Sequence, residues 1–561
     1  MVSAFGALSL AQNERLYGSD QVVEPADAQI AASSSWLVEV AGNTMGLFGS
    51  DGSLHWTVDI QALFELPPGY FFYAPSLQYD DGSGRWFLGG IASNTSVHDS
   101  WLLLAISHSG SPMGTWSWFI TDVRYNNPSQ CGTPCPNTVY FTRESIAVVG
   151  DKALQTEQAE ICTNACSPLG SGGFIVIRKD QLLAGVQPSI TSFDIGTGQR
   201  DFLAVQPQSV GGTYGNVAFL VWLKGGATSP PDRLGLLQIT GLPYPDRAYW
   251  SRGNTVAWEK DYRAVMPTSN VLPAQPGGSL YASPTPITSA IYRDGQVVLA
   301  MNDGCGQVDC VRIDKIADFT NATPIADVNG PIANSTVPLQ PKTDFETAIG
   351  LNGVNLFDAS LAIDPYGNLV IGTAFSSPGL NPGMAVAGIS APINSTSTVM
   401  PTSRIVQGPS SYNCFSGSSN PWGAYMRSAP DPNNYRRVWM PAEVAVNSCW
   451  ATAIVSATTG VGPQATKMSP AVGSTKGGQV VQIDGSFFVP DADQVLFGST
   501  PGTIMAESST GILVRSPPGV AGSVTVTVRT PDGTAIAGTF TYVKPGDRSA
   551  PPAAPKGRPR R

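Results

Sequence analysis

Residues 75–89, PSLQYDDGSGRWFLG, read as a β-strand, a tight turn and a second strand. Asp, Gly and Ser supply the backbone angles a hairpin turn needs, and the flanks carry side chains that suit a pleated, half-buried surface. Looser versions recur as SAIYRDGQVVLAMN from Ser289, SLAIDPYGNLVIGTAF from Ser360 and MRSAPDPNNYRRVWMPAEV from Met426. Each sets a turn built on Asp with Gly, Pro or Asn between two apolar strands. A lone hairpin leaves sheet edges open and is barely stable, so a chain of them must pack into something larger. The self-similarity runs from residue 35 to 457 without a strict period, and no linker interrupts it before residue 460. Blades packed radially about an axis fit this pattern. At roughly 40–60 residues per blade, the length accommodates about seven. Two or three stacked β-sandwiches would also use many hairpins, but they would need linkers between them.

The rest of the composition agrees. Charged residues are only 13% of the 561, with 60 Gly and 46 Pro, which describes many short strands joined by turns rather than helices. One helical turn is expected near residues 60–64, and residues 124–170 read as a long insertion. A net charge of −9 argues against nucleic acid as a partner. The one basic cluster, KGRPRR at 556–561, ends a Pro-rich tail over 544–561 that is expected to be disordered. No apolar run approaches the roughly 18 residues of a membrane span. Residues 1–30 read as a leader. VSAFGALSLAQ is uncharged and ends in Ser9-Leu10-Ala11, a small-x-small pattern like a signal-peptidase site, yet a positive n-region is missing. A remnant signal segment and an ordinary N-terminal tail both fit.

Eight cysteines fall as Cys131/Cys135, Cys162/Cys166, Cys305/Cys310 and the wider Cys414/Cys449. An even number in local pairs within Gly/Pro/Ser-rich loops points to disulfides in an oxidising compartment. Zinc held by the two CxxxC pairs is one alternative, against which stands the two-residue spacing that zinc knuckles prefer, and free buried thiols are another. The sequons at Asn94, Asn321, Asn334 and Asn394 decide nothing in so Ser/Thr-rich a chain.

Signatures of catalysis are weak. The histidines are His55, His98 and His108, and no G-x-S-x-G lies in a strand–helix context. No P-loop or dinucleotide fingerprint is present, so no cofactor is expected. The segment NDGCGQVDC (302–310) offers oxygens for calcium, but its spacing is not that of an EF-hand, and a disulfide-closed turn fits better. No metal site is assigned. A glycosidase needs two carboxylates flanking a bound sugar, for which Glu144, Asp344, Glu346 and Glu443 are candidates. Among twelve tryptophans, Trp86, Trp118 and Trp439 sit at strand positions and read as core. Trp422, Tyr425 and Arg427 flank a Gly/Ser/Asn-rich loop and are candidate binding residues at a channel mouth, where aromatics beside polar groups can grip a sugar or a protein loop.

The pattern changes after the Gly/Thr/Pro-rich stretch 457–467. Alternation in QVVQIDG and SVTVTVRT marks half-buried strands of a small antiparallel sandwich. Over 467–543 the chain resembles an IPT/TIG domain: Pro470, Gly473, Gly477-Gly478, Ile483-x-Gly485-x-Phe487, Val495-x-Phe497-Gly498, Ile512, Pro517-Pro518, Gly533 and Phe540-x-Tyr542 carry the match. The resemblance implies an immunoglobulin-like spacer or interaction module. YAPSLQYDDGSGRWF, LLLAISHSGSPMGTWSWF and the closing NPWGAYMRSAPDP with VWMPAEVAV are similar to secreted bacterial β-propellers of sialidase-like fold. Ser50-Asp51-Gly52-Ser53 with Trp56 resembles a degenerate Asp-box, whose aromatic residue would pack beneath the turn. Ala424 stands where that group often has an acidic residue after Trp-Gly.

The chain is therefore expected to be all-β: a propeller of about seven blades over 31–460, then an immunoglobulin-like sandwich over 467–543. The expected function is that of an exported or cell-surface, non-enzymatic protein binding an extracellular protein or glycan through its propeller loops. The alternative is a secreted propeller hydrolase or lyase acting on polysaccharide. A cluster of carboxyls with raised pKa in the central channel would favour the enzyme, and a sterically closed channel the binding protein.

Overall fold

The computed structural model describes residues 2–17, 25–94, 96, 99–125, 138–162, 166–167, 171–197, 200–208, 215–224, 233–245, 254–263, 272–283, 287–319, 322–324, 339–340, 342–414, 420–459, 463–488, 493–508, 510–530 and 533–545. The chain forms two compact units: Met1–Pro432 with Arg437–Thr458, and Thr459–Arg561 with Asn433–Arg436. The first is a β-propeller.

Among the described residues, seven sheets of four to six strands follow one another along the first unit. Each is a blade, numbered here in chain order. The hairpin of residues 75–89 lies in blade 2, whose strands Phe71–Asp80, Arg85–Asn94, Asp99–Ser107 and Trp116–Tyr125 pair antiparallel in sequence order. The three looser hairpins are likewise the two leading strands of blades 5, 6 and 7: Ile287–Arg293 with Gln296–Cys305, Asn355–Ile363 with Leu369–Ser377, and Ala429–Asp431 with Asn434–Val446. In each of these sheets the leading strand lies at one edge, except in blade 5, where Gln206–Pro207 pairs parallel outside Ile287–Arg293, so the sequence repeat follows one edge of the blades.

Apolar cores lie between neighbouring blades. Trp86, Leu88 and Leu103 of blade 2 are buried with Val38, Val40 and Leu47 of blade 1. Phe87, Leu102 and Leu104, on the other face of the blade 2 strands, are buried with Ile146, Val148 and Ile175 of blade 3. Alternate residues of one strand thus feed two cores, which is why the strands read as nearly continuous apolar runs.

Two stretches are placed differently from a reading of local pattern. Residues 2–17 are part of the first unit in this structure. Val2–Ser9 is a strand antiparallel to Cys449–Thr458, with Val2 opposite Ala457 and Ser9 opposite Ala451, and Leu10–Tyr17 is a helix. The strand completes blade 7, so the two ends of the first unit are joined in one sheet, which closes the ring and removes an open edge. Its uncharged, small-residue composition suits a strand tucked beside Trp439 and Phe48, and Phe5 packs against both rings. The described residues of 124–170 belong to blades rather than to an insertion. Thr138–Val149 and Lys152–Cys162 are the two leading strands of blade 3. Buried polar residues Glu144, Ser145, Gln155, Thr156 and Glu157 broke the apolar pattern by which a strand is recognised.

The second unit is a sandwich of two sheets. One contains Gln464–Ser469, Val480–Ser486, Gly511–Arg515 and Thr503–Ser508; the other is built on Gly533–Val543, Gly522–Thr530 and Gln494–Phe497. Val481, Ile483, Ile512, Val526, Val528, Phe540 and Tyr542 fill the space between them. Gly477 (φ +73°) lies against the Pro517 backbone, where an added Cβ would come within 2.6 Å of the carbonyl carbon. The tail from 546 onward lies outside the described residues.

Candidate functional site

A ring of hydrogen bonds runs from blade to blade around the axis. Gln29 Oε1 accepts from Leu77 N (2.8 Å), Ser76 Oγ from Ile146 N (3.0 Å), and Ser145 Oγ from Ala204 N (2.9 Å). Gln208 N donates to Tyr292 O (2.9 Å), and Ser289 Oγ accepts from Leu361 N (3.2 Å). Ser428 Oγ donates to Ser360 Oγ (2.8 Å), and Ile30 N returns to Arg427 O (2.9 Å). Five of the seven leading strands carry a serine at this place: PSLQ, ESIA, TSAI, ASLA and RSAP. The residues just before those serines are Pro75, Glu144, Thr288, Ala359 and Arg427. Glu144 and Arg427 therefore occupy matching positions on blades 3 and 7.

The backbone bends just ahead of the ring. The pairing of leading strand to second strand slips between Tyr73 and Ser76, Phe141 and Arg143, Ile287 and Ser289, and Phe357 and Ser360. Asp27, Ala74, Asp358 and Tyr425 adopt left-handed backbone with φ of 43°, 50°, 48° and 60°. Bulges of this kind re-aim side chains beside binding sites, and left-handed backbone is costly for residues such as Ala and Tyr.

Three of these four, Asp27, Ala74 and Tyr425, line a pocket of about 190 Å³ at one end of the axis, together with Gln29, Glu144, Tyr281, Ser283 and Trp422. Below it Glu144, Tyr425 and Arg427 surround a void of only about 10 Å³, and a third space of about 30 Å³ follows near Gln206 and Ser428. Among the described residues the axis thus has a shallow open mouth and only small spaces beneath it.

The mouth wall is cross-tied. Tyr281 N donates to Asn420 O (2.7 Å) and Trp422 N to Tyr281 O (2.9 Å). Gln275 Nε2 donates to Tyr412 O (2.7 Å), and Tyr412 N to Gln275 Oε1 (2.8 Å). Two carboxylates hold the backbone after Trp422: Glu443 Oε2 accepts from Gly423 N (2.7 Å) and Asp27 Oδ1 from Ala424 N (2.9 Å). Gly423 has no room for a side chain, since an added Cβ would lie 2.2 Å from Glu443 Oε2. Asp358 binds Ser283 N and Asn302 Nδ2, and Ser283 Oγ lies 3.1 Å from the Tyr425 hydroxyl.

The expected binding residues lie together along this axis, in different settings. Trp422 is buried, not exposed: its ring meets Tyr412 edge-on at 5.3 Å, so it acts as wall. Tyr425 is half-buried between mouth and inner void, and Arg427 is buried at the inner void. Of the carboxylate candidates, only Glu144 lines the mouth pocket. Glu443 braces its wall, whereas Asp344 and Glu346 are exposed on or beside the outer strand Phe345–Ile349 of blade 5.

Burial raises the Glu144 carboxyl to about 8, against the opposing effects of a hydrogen bond from Gln155 Nε2 (2.9 Å) and the charge of Arg427. Burial likewise pushes Arg427 down to about 10, with Glu144 opposing. Asp27, Gln29 and Asp358 were not singled out from the sequence. The serine shared by the leading strands was the available signal.

The other candidates resolve simply. Asp51, Ser53 and His55 share an exposed hairpin tip, but Asp51 Oδ1 accepts from the Ser53 hydroxyl (2.6 Å), whose oxygen lies 3.1 Å from His55 Nε2. That order leaves the imidazole without the carboxylate that orients it in a triad. Trp56 is 60% exposed, so the Asp-box expectation of an aromatic residue beneath the turn fails. His108 is exposed between Thr115 and Ser117, and His98 lies outside the described residues. Cys305–Cys310 and Cys414–Cys449 are disulfides. The backbones of Cys162 and Cys166 are direct strand partners. Their side chains, and Cys131 and Cys135 altogether, lie outside the described residues.

Residues 463–542 match the IPT/TIG domain family. No curated protein matches the chain. Similar solved structures include Drosophila Semaphorin 2a, 8% identical over 98% of both chains with a TM-score of 0.35. Another is Drosophila Plexin A in complex with Semaphorin 1b, 8% identical over 78% of this chain and 86% of that one, with a TM-score of 0.34. Likeness at that level carries no argument about what this chain binds.

Proposed function

We propose that this β-propeller with its IPT/TIG module is an exported or cell-surface, non-enzymatic binding protein. The mouth face recognises an extracellular protein or glycan, and the immunoglobulin-like module serves as spacer or interaction domain. The observation that carries the reading is the shape of the axis: a mouth of about 190 Å³ above only small spaces among the described residues. Small-molecule sites usually enclose about 300–1,000 Å³. A shallow, rigid, aromatic-edged mouth suits capture of a projecting side chain, loop or terminal sugar. The disulfides Cys305–Cys310 and Cys414–Cys449 support an oxidising compartment.

A polysaccharide hydrolase or lyase is the second reading, favoured by the raised Glu144 carboxyl on the mouth wall. It would require a second working carboxylate, and Asp27, the other acid lining the pocket, is engaged with Ala424 N. Both readings meet in one experiment. The full chain is applied to arrayed glycans and extracellular proteins, and polysaccharides incubated with it are assayed for new reducing or unsaturated ends. The binding reading expects saturable binding, weakened at least tenfold by Tyr281→Ala and little changed by Glu144→Gln. Chain ends that accumulate with wild type and vanish with Glu144→Gln would establish the enzyme instead.

A further inference from the structure

We propose that the middle of the propeller axis is a binding site for a single small monovalent anion of the halide class, held by the Arg427 guanidinium with the Ser289 hydroxyl beside it. Arg427 is 7% exposed, and neither terminal nitrogen has a hydrogen-bond partner on the protein. Leaving a guanidinium desolvated without a partner is costly, more so than for a neutral donor. Arg427 lines a small void together with Gln29, Glu144, Thr288, Ser289 and Tyr425.

These neighbours limit what can compensate the charge. Gln29 is engaged through both amide atoms, accepting from Leu77 N and donating to Tyr425 O. Ser289 Oγ already accepts from Leu361 N, which leaves its O–H to donate inward. Glu144 Oε1 accepts from Gln155, and Oε2 has no partner on the protein. With its carboxyl raised to about 8, Glu144 is largely uncharged at neutral pH and offers a proton donor rather than a counter-charge. The lining therefore combines one cation with hydroxyl and carboxyl donors. Its volume of about 10 Å³ lies at the lower limit for one water, so a halide enters only as the lining moves outward slightly, and carboxylate, phosphate or sulfate groups are excluded.

The test uses the full chain in chloride, bromide or gluconate at fixed ionic strength. The expected result is saturable stabilisation against urea by both halides and none by gluconate. Crystals grown in bromide should show one anomalous peak between Arg427 and Ser289. Arg427→Gln should weaken the halide effect at least tenfold. Should that variant fail to fold, the bromide peak in wild type decides alone. Equal stability in all three salts with no bromide peak at Arg427 would mean that water occupies the site, and would overturn the proposal.

Discussion

Glu39 lies in blade 1, wholly buried, where the Thr452 hydroxyl of blade 7 donates to its Oε2 at 2.8 Å and the same hydroxyl oxygen receives Leu8 N at 2.9 Å. It thus sits where the N-terminal strand closes the ring. Burial is the largest influence and raises its pKa from 4.5 to about 8. A carboxyl with a raised folded-state pKa binds its proton more tightly when folded. Its contribution is complete below the unfolded value near 4.5 and is lost as pH climbs towards 8. The difference of 8 − 4.5 = 3.5 pH units corresponds to about 5 kcal/mol over the whole range. Between pH 5 and 7.5 the loss from Glu39 is about 3 kcal/mol, and Glu144 adds a loss of the same sign. Glu39→Gln keeps an acceptor for the Thr452 hydroxyl and has nothing to ionise. Urea unfolding of the propeller should therefore show wild type weakening from pH 5 to 7.5, with Glu39→Gln losing less by about 3 kcal/mol. Stability that is flat or rising across this range in wild type, or an identical slope in the variant, would refute the reasoning.

Three further outcomes follow from the geometry. Cys414–Cys449 closes a loop of sequence separation 35 and Cys305–Cys310 one of 5, so loop entropy assigns about 4 and about 2 kcal/mol respectively; Cys-to-Ser pairs compared in urea should rank in that order. Gly89→Ala would place a Cβ 2.1 Å from Glu144 Oε1 and 2.7 Å from an Ile146 methyl, so a loss of about 1–3 kcal/mol is expected by denaturant unfolding. Ala74 holds φ +50° at the mouth, and Ala74→Gly should raise the unfolding midpoint by relieving about 1 kcal/mol of backbone strain, an effect that a falling midpoint would contradict.

The hairpins starting near Pro75, Ser289, Ser360 and Met426 exposed the propeller because each is the leading half of a blade, where turn chemistry and β-preference agree. Blade 3 was hidden because its leading strands bury Glu144, Gln155 and Glu157, residues whose polarity reads as loop until their partners are known. The N-terminal strand was hidden for another reason. Pairing Val2 with Ala457 spans nearly the whole first unit, and no local pattern encodes so distant a partner. At the site, Trp422, Tyr425 and Arg427 were legible from aromatics beside a Gly/Ser/Asn-rich loop. That Trp422 is wall rather than contact surface was not, because its burial depends on Tyr281 arriving from a distant segment and on the chain folding Tyr412 back against its ring. The axial serines were visible in the sequence, but a serine at a strand start acquires meaning only when the ring aligns it with its neighbours.

Differential alkylation of the protein from its native host, with and without reductant, tests the export claim most directly. Cys305, Cys310, Cys414 and Cys449 should resist alkylation until reduced, in peptides linked 305 to 310 and 414 to 449. Ready alkylation of these four cysteines in the unreduced, freshly isolated protein would place it in a reducing compartment and contradict its reading as an exported binding protein.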